Sequence, residues 1–230
     1  MTGRVAPEIM RRHLQMYLVL GSVNCSVEPS LVVQEALAGG TTMVQFREKG
    51  QAALAGEPMI RLARRIQDQC RQAGVPFIVN DDVELALKLD ADGVHVGQDD
   101  ESAASVRERI GNRILGVSAH TVEEARRAIL HGADYLGIGP IYPTRSKDDA
   151  KTAQGPAILR ELREAGIHLP IVGIGGITVE RVEEVIGAGA DGVAVISAVT
   201  EAQSAREVVE AFIGKIRRTT ESISLDVRGL

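Results

Sequence analysis

Three side chains in one short stretch carry complementary chemistry. Gln45, Arg47 and Lys49 alternate with Phe46 and Glu48, so in extended backbone they share one face. That face offers an amide, a forked guanidinium and an ammonium. The set suits a ligand that joins a neutral hydrogen-bonding ring to an anionic group. A solvated strand end, with Glu48 paired locally, would present the same residues. Further along, Asn80-Asp81-Asp82 and Gln98-Asp99-Asp100 follow two successive β-branched runs. Two carboxylates facing one pocket beside cations suit Mg2+, which would also hold phosphate oxygens and water. Asp81 and Asp100 are the candidates, with Asp82 and Asp99 as alternates one position away. Each Asp could instead cap the helix that follows. The His and Cys residues have no zinc-ligand spacing.

A second group of residues suits phosphate. Gly173-Ile174-Gly175-Gly176 precedes Ile177-Thr178 and the start of a helical pattern, and Ser197 follows a later apolar run. Loops of this kind bring backbone N–H groups and a helix end to an anion, although glycines also serve tight turns. The polar stretch from Pro140 to Gly155 holds Thr144, Ser146, Lys147 and Lys151 beside Asp148 and Asp149. A long loop in a compact domain is often a functional lid. His95 lies within a strand pattern and reads as a hydrogen-bonded interior histidine. Ser118 lacks the Gly-x-Ser-x-Gly turn of a hydrolase nucleophile. Cys25 and Cys70 read as reduced, buried thiols.

The elements that must position these groups recur with a regular rhythm. Eight β-branched runs cover 16–20, 42–46, 76–80, 93–96, 113–117, 135–138, 170–173 and 192–196. Several are nearly continuous apolar runs, as parallel strands buried on both faces are. Helical periodicity fills 29–38, 58–73, 83–89, 102–110, 121–129, 156–165, 178–188 and 204–217. The turns Asp90-Ala91-Asp92-Gly93, Gly132-Ala133-Asp134 and Gly189-Ala190-Asp191-Gly192 repeat one helix-to-strand connection. Eight strands alternating with eight helices predict a single-domain α/β fold, a (β/α)8 TIM barrel. A doubly wound sheet is disfavoured because Gly21 opens no Gly-x-Gly-x-x-Gly turn after the first strand. The expected division is an N-terminal extension over 1–15, the barrel over 16–217 and a C-terminal tail over 218–230. In such a barrel the chemistry sits at the C-terminal ends of the strands, which is where the polar residues above fall.

Composition narrows the partners. The 230 residues carry a formal net charge of −5, with 44% hydrophobic and 25% charged residues. That is the profile of a folded globular protein without the basic footprint of a nucleic-acid binder. No Trp and only three Phe and three Tyr leave few platforms for stacking bases. No apolar run approaches the ~18 residues of a membrane span, and the N-terminus has no apolar signal core. The expectation is a cytoplasmic protein acting on small molecules, without nucleic acid or membrane.

The ordered set of motifs resembles a known family. Gln45-Phe46-Arg47-Glu48-Lys49, Val79-Asn80-Asp81, Gly93-Val94-His95-Val96-Gly97-Gln98 with Asp100, Gly116-Val117-Ser118, Gly139-Pro140-Ile141-Tyr142-Pro143-Thr144 with Lys147, Gly173 to Ile177, and Val195-Ile196-Ser197 are similar to those of thiamine-phosphate synthases. The likeness runs from about Tyr17 to about Ile213. It implies that a pyrimidine-methyl diphosphate loses pyrophosphate and that the nitrogen of a thiazole phosphate captures the methylene carbon, giving thiamine phosphate. By position, it assigns Gln45 to Lys49, Asn80, Ser118 and Lys147 to the pyrimidine diphosphate, and Asp81 and Asp100 to Mg2+. It assigns Thr144, Arg145, Ser146, Gly176, Ile196 and Ser197 to the thiazole phosphate. Arg47, Lys49, Ser118 and Lys147 are then the catalytic set. The family often has Thr-x-Thr-Lys where this chain has Thr144-Arg145-Ser146-Lys147, so Ser146 keeps the hydroxyl and loses a methyl. A thiazole tautomerase and a non-catalytic sensor of thiamine phosphates are the rival readings. Gln45, Arg47, Lys49 and the Asp pair argue against the first, and the fully charged rim against the second.

Overall fold

The computed structural model describes residues 3–146 and 152–228. Eight short strands pair in sequence order, all parallel, and β8 returns to β1 to close a barrel. They are β1 (Met16–Leu20), β2 (Met43–Phe46), β3 (Phe77–Asn80), β4 (Gly93–Val96), β5 (Ile114–Ala119), β6 (Tyr135–Ile138), β7 (Ile171–Ile174) and β8 (Gly192–Val195). The helices are α1 (Pro7–Leu14), α2 (Pro29–Ala38), α3 (Gly56–Ala73), α4 (Val83–Leu89), α5 (Ala103–Ile110), α6 (Val122–Leu130), α7 (Ala157–Glu164), α8 (Val182–Gly187), α9 (Ser197–Thr200) and α10 (Ala205–Arg228). The predicted (β/α)8 barrel is therefore the fold, and every predicted strand lies within a residue or two of an observed one.

Alternation along the strands divides the core in two. One set of side chains, including Leu18, Val44, Phe46, Phe77, Val79, Val94, Leu136 and Val193, packs outward against the helices. The other set fills the bore: Tyr17, Val19, Met43, Ile78, Ile114, Tyr135, Val172 and Ala194. Helix α1 adds Met10 and Leu14 to this inner cluster and so plugs the end of the barrel where the strands begin. Within the extension expected over 1–15, α1 is thus part of the core. A two-turn helix with two core residues is marginal in isolation and gains its stability from the barrel it closes. At the other terminus, α10 runs on past Arg217 to Arg228, where a tail was expected. Thr219 and Thr220 give their hydroxyls to the carbonyls of Lys215 and Ile216, 2.9 Å away in each case. These polar residues thereby join the helix instead of breaking it.

The repeated turns are latches. Asp92, Asp134 and Asp191 each accept the amide N–H of a residue at the start of an earlier strand, Phe77, Leu115 and Ile171 respectively, at 2.8 Å. Arg107 and Arg163 brace the second and third at 2.6 and 2.7 Å, and Arg4 and Arg11 of the N-terminal segment bind the same two carboxylates. The start of the barrel is therefore sealed by satisfied ion pairs.

Candidate active site

A cavity of about 520 Å3 opens at the C-terminal ends of the strands. Lys49, Asp100, Ser118, Thr144, Gly176 and Ser197 line it, and they come from the segments after or at the ends of β2, β4, β5, β6, β7 and β8. A smaller recess of about 320 Å3 shares Lys49 and Ser146 with it and adds Arg47, Arg145 and Asn24. Lys49 and Ser197, 148 positions apart in sequence, are thus gathered at one mouth only because the barrel closes.

Strand β2 splits its five candidates by the pleat. Gln45 faces the bore, buried, with its Nε2 donating to the Tyr17 hydroxyl at 2.7 Å. Arg47 is buried and borders the recess. Lys49 reaches Asp81, Nζ to Oδ2 at 3.0 Å. Phe46 points the other way, buried among the helices and stacked on Phe77 with ring centroids 6.3 Å apart, so its side chain is not brought to the mouth. Glu48 also serves the scaffold. Its carboxylate accepts the backbone N–H groups of Ser22 and Leu54, each at 2.8 Å, and the Ser22 hydroxyl. That ties the turns after β1 and β2 together.

Among the aspartates, Asp82 caps α4 by accepting the Leu85 N–H at 2.8 Å, and Asp81 stands free of that duty. Asp81 has φ 60°, a left-handed conformation that Asp tolerates better than most residues. Burial raises the Asp81 pKa, and the facing Asp100 carboxylate raises it further against the opposing pull of Lys49. Asp100 is held by the Gly97 N–H at 2.7 Å. Two half-buried carboxylates crowded together form a site that a divalent cation would relieve. Among the described residues no cluster of three or more His, Cys, Asp or Glu side chains forms a metal site. The pair fits an ion that takes its remaining oxygens from ligand and water. Asn80 ends β3 next to this pair.

The opposite wall is tied across the mouth. Ser146 Oγ donates to Ser197 Oγ at 3.0 Å, and the Ser146 N–H donates to Thr144 Oγ1 at 3.2 Å. The loop after β6 is thereby joined to the residue that follows Ile196. Gly176 has φ 59°, and a Cβ there would fall 2.5 Å from the Pro143 carbonyl, so only glycine allows the two loops to touch. Lys147 lies outside the described residues. Ser118 accepts or donates at 2.9 Å to His95 Nε2. Three lining residues were given no role from the sequence. Arg181 lies over the Tyr142 ring at 4.3 Å and donates to the Gly176 carbonyl. Gln98 holds the Ser118 carbonyl at 2.7 Å, and His120 pairs with Glu124 at 3.0 Å. Gln98 ends the motif that begins at Gly93, whereas His120 and Arg181 sit on polar stretches of ordinary composition, and the closed barrel brings all three to the cavity. Burial pushes the Cys25 thiol up to about 11 and Cys70 up to about 12, so both are protonated near neutrality.

Residues 16–199 match the family model for thiamine monophosphate synthase. The chain belongs to that family. It is 60% identical over 215 residues to the thiamine-phosphate synthase of Geobacillus thermodenitrificans, covering 94% of this chain and 97% of that one. With a thiamine-phosphate synthase of Bacillus cereus the identity is 56% over 217 residues, covering 94% and 99%. Among solved structures, the thiamine phosphate pyrophosphorylase of Pyrococcus furiosus superposes with a TM-score of 0.82 at 35% identity, over 91% of this chain and 98% of that one. As a thiamine monophosphate synthase family member the chain is a transferase.

Proposed function

We propose that the chain condenses 4-amino-2-methyl-5-(diphosphooxymethyl)pyrimidine with thiazole phosphate. The products are thiamine phosphate and pyrophosphate, with CO2 as well when the thiazole is carboxylated. The observation that carries this reading is the convergence, at one mouth, of two cations (Arg47, Lys49), a crowded carboxylate pair (Asp81, Asp100) and a hydroxyl pair (Ser146, Ser197), with the Gln45 amide beneath them in the bore. A ring, a diphosphate and a second phosphate need these three kinds of group.

The residues divide the work. Gln45 meets the aminopyrimidine edge, and Asn80 lies beside it. Arg47, Lys49 and Lys147 face the diphosphate, where negative charge grows as its C–O bond breaks. Fixed cations aimed at developing charge commonly lower a barrier by several kcal/mol, about 3–4 for a single well-placed donor. Asp81 and Asp100 would hold Mg2+, which when bound supplies positive charge beside the departing oxygens. The pyrimidine ring spreads the positive charge left on the methylene carbon, so the substitution is dissociative. Thr144, Arg145, Ser146, Gly176, Ile196 and Ser197 hold the thiazole phosphate so that its ring nitrogen faces that carbon. Such orientation contributes a comparable lowering. An unprotonated ring nitrogen needs no general base. No described helix is long and apolar enough to cross a membrane, and we place the reaction in the cytoplasm. The test is a product assay with both substrates, with and without Mg2+. Pyrophosphate and thiamine phosphate formed together, only with the metal, are expected. Isomerised thiazole without pyrophosphate, or binding without turnover, would overturn the reading.

A further inference from the structure

Beneath the mouth, five side chains form an unbroken line of hydrogen bonds across the bore. Gln45 Nε2 donates to the Tyr17 hydroxyl at 2.7 Å, and that oxygen lies 2.8 Å from the Tyr135 hydroxyl. The Tyr135 hydroxyl is 2.9 Å from His95 Nδ1, and His95 Nε2 is 2.9 Å from Ser118 Oγ. All but Ser118 are buried. The line joins two groups that the proposed reaction uses, Gln45 for the ring and Ser118 for the diphosphate. Apolar side chains of the same shape would fill this space at little or no cost in stability, so packing alone does not account for the line. The strands also make room for it. A Cβ at Gly116 would fall 2.2 Å from Tyr135 Cζ and 2.4 Å from His95 Nδ1, and one at Gly137 would fall 2.9 Å from His95 Cε1.

Counting hydrogens gives the line a direction. An amide nitrogen only donates, so Tyr17 accepts from Gln45. Tyr17 must then pass its one hydrogen to Tyr135, since the described residues offer it no other acceptor. Tyr135 passes its hydrogen to His95 Nδ1. The imidazole proton therefore sits on Nε2 and is donated to Ser118 Oγ. Ser118 is left with its own O–H pointing out of the line. We propose that Tyr17, Tyr135 and His95 are positioning residues that fix Ser118 as a hydrogen-bond donor to the cavity, matched to an acceptor-only ligand group such as a diphosphate oxygen. The identity of that group rests on the function proposed above; the polarity of the line does not. The opposite orientation of the Gln45 amide would reverse every bond and put the imidazole proton on Nδ1.

Two measurements test this. The first is the 15N NMR spectrum of the His-labelled full chain, without substrates. A His95 signal from the Nε2–H tautomer is expected, and an Nδ1–H tautomer overturns the proposal. The second is a double-mutant cycle of Tyr135→Phe and Ser118→Ala on pyrophosphate release. Each single variant is expected to lose about ten-fold in kcat, with KM for the thiazole phosphate unchanged. The double variant is expected to be no slower than Ser118→Ala alone, because Tyr135 acts through Ser118. Losses that multiply would mean that Tyr135 only packs, and would overturn the proposal. If Tyr135→Phe does not fold, Tyr17→Phe breaks the adjoining link and replaces it in the cycle. The tautomer is read without turnover, so failure of this line and failure of the proposed reaction are separate results.

Discussion

Gly116→Ala tests the packing that makes room for the site. Gly116 lies in β5 opposite His95 in β4 and Tyr135 in β6. An added Cβ would meet Tyr135 Cζ at 2.2 Å, its hydroxyl at 2.3 Å and His95 Nδ1 at 2.4 Å. None of these is the loose end of a flexible side chain. Tyr135 is fully buried, edge-on to Tyr17 at 6.0 Å and tilted against His95 at 5.4 Å. The ring must move by at least about 1.2 Å, from 2.2 to 3.4 Å, to restore ordinary contact, which overpacks the bore at about 1–3 kcal/mol. Moving it strains two buried hydrogen bonds at about 1 kcal/mol each. Together these come to about 3–5 kcal/mol, or roughly 6–20 °C in Tm for a chain of this size. Thermal melts of three variants measure it. Gly137→Ala meets one ring atom, His95 Cε1 at 2.9 Å, with the next at 3.4 Å, and should lose only about 1 kcal/mol. Gly187→Ala, in α8 with nothing within 4 Å, should be neutral or about 0.5–1 kcal/mol more stable. If Gly116→Ala melts as high as Gly187→Ala, the close packing of the bore is refuted.

Three further outcomes are expected. Arg47→Ala, and likewise Lys147→Ala, should lower the rate about 10²–10³-fold with unchanged circular dichroism; near-normal turnover would remove the assigned role. Asp81→Asn should separate stability from activity. Burial and Asp100 raise the folded-state pKa of Asp81 above its unfolded value, so the ionised carboxylate costs folding stability above that pKa, and the cost fades as the pH falls through it. The metal-free variant should therefore be more stable than the parent at neutral pH, with the gap closing on acidification, while Mg2+-dependent turnover is lost. A gap that widens in acid would contradict the sign. Asp134→Ala strips the Leu115 N–H of its acceptor and leaves Arg107 without a carboxylate that is itself only 4% exposed. Urea unfolding should register a loss of about 3–5 kcal/mol, and a loss below about 1 kcal/mol would show the latch to be ornamental.

What could be read from the sequence was local. The strands were legible because a parallel strand buried on both faces needs an apolar run, and runs such as Tyr135 to Ile138 have few alternatives. The shared face of Gln45, Arg47 and Lys49 was legible from the pleat, and the same rule already placed Phe46 and Glu48 on the other face. The family motif swept all five into one set, whereas the structure sends Phe46 to the helices and Glu48 to the loops. Asp81 and Asp82 could not be told apart in sequence, because either can precede a helix. Cap geometry at Leu85 and a left-handed φ at Asp81 separate them. The Tyr17–Tyr135 contact joins residues 118 apart, and only the closure of the barrel makes them neighbours. Helix α1 was missed for a related reason: its two core residues have meaning only against the bore they plug.

The two ends of the barrel treat charge in opposite ways, and the contrast bears on where the chemistry is. At the start of the strands, Asp134 and Asp191 each accept a backbone N–H and face two arginines. Such carboxylates are saturated by the fold and have little left to offer a ligand. At the other end Asp81 is set against a second carboxylate, with its proton affinity raised in consequence. Arg47 and Lys49 stand at the rim of an adjoining recess. A half-buried carboxylate facing its like is costly even with Lys49 paired to it. The cost is tolerable where an ion and an anionic substrate complete the set, and those two additions have opposite signs. The mouth therefore sets crowded acids beside cationic side chains, an arrangement that the metal-bound diphosphate of the proposed reaction would satisfy at once.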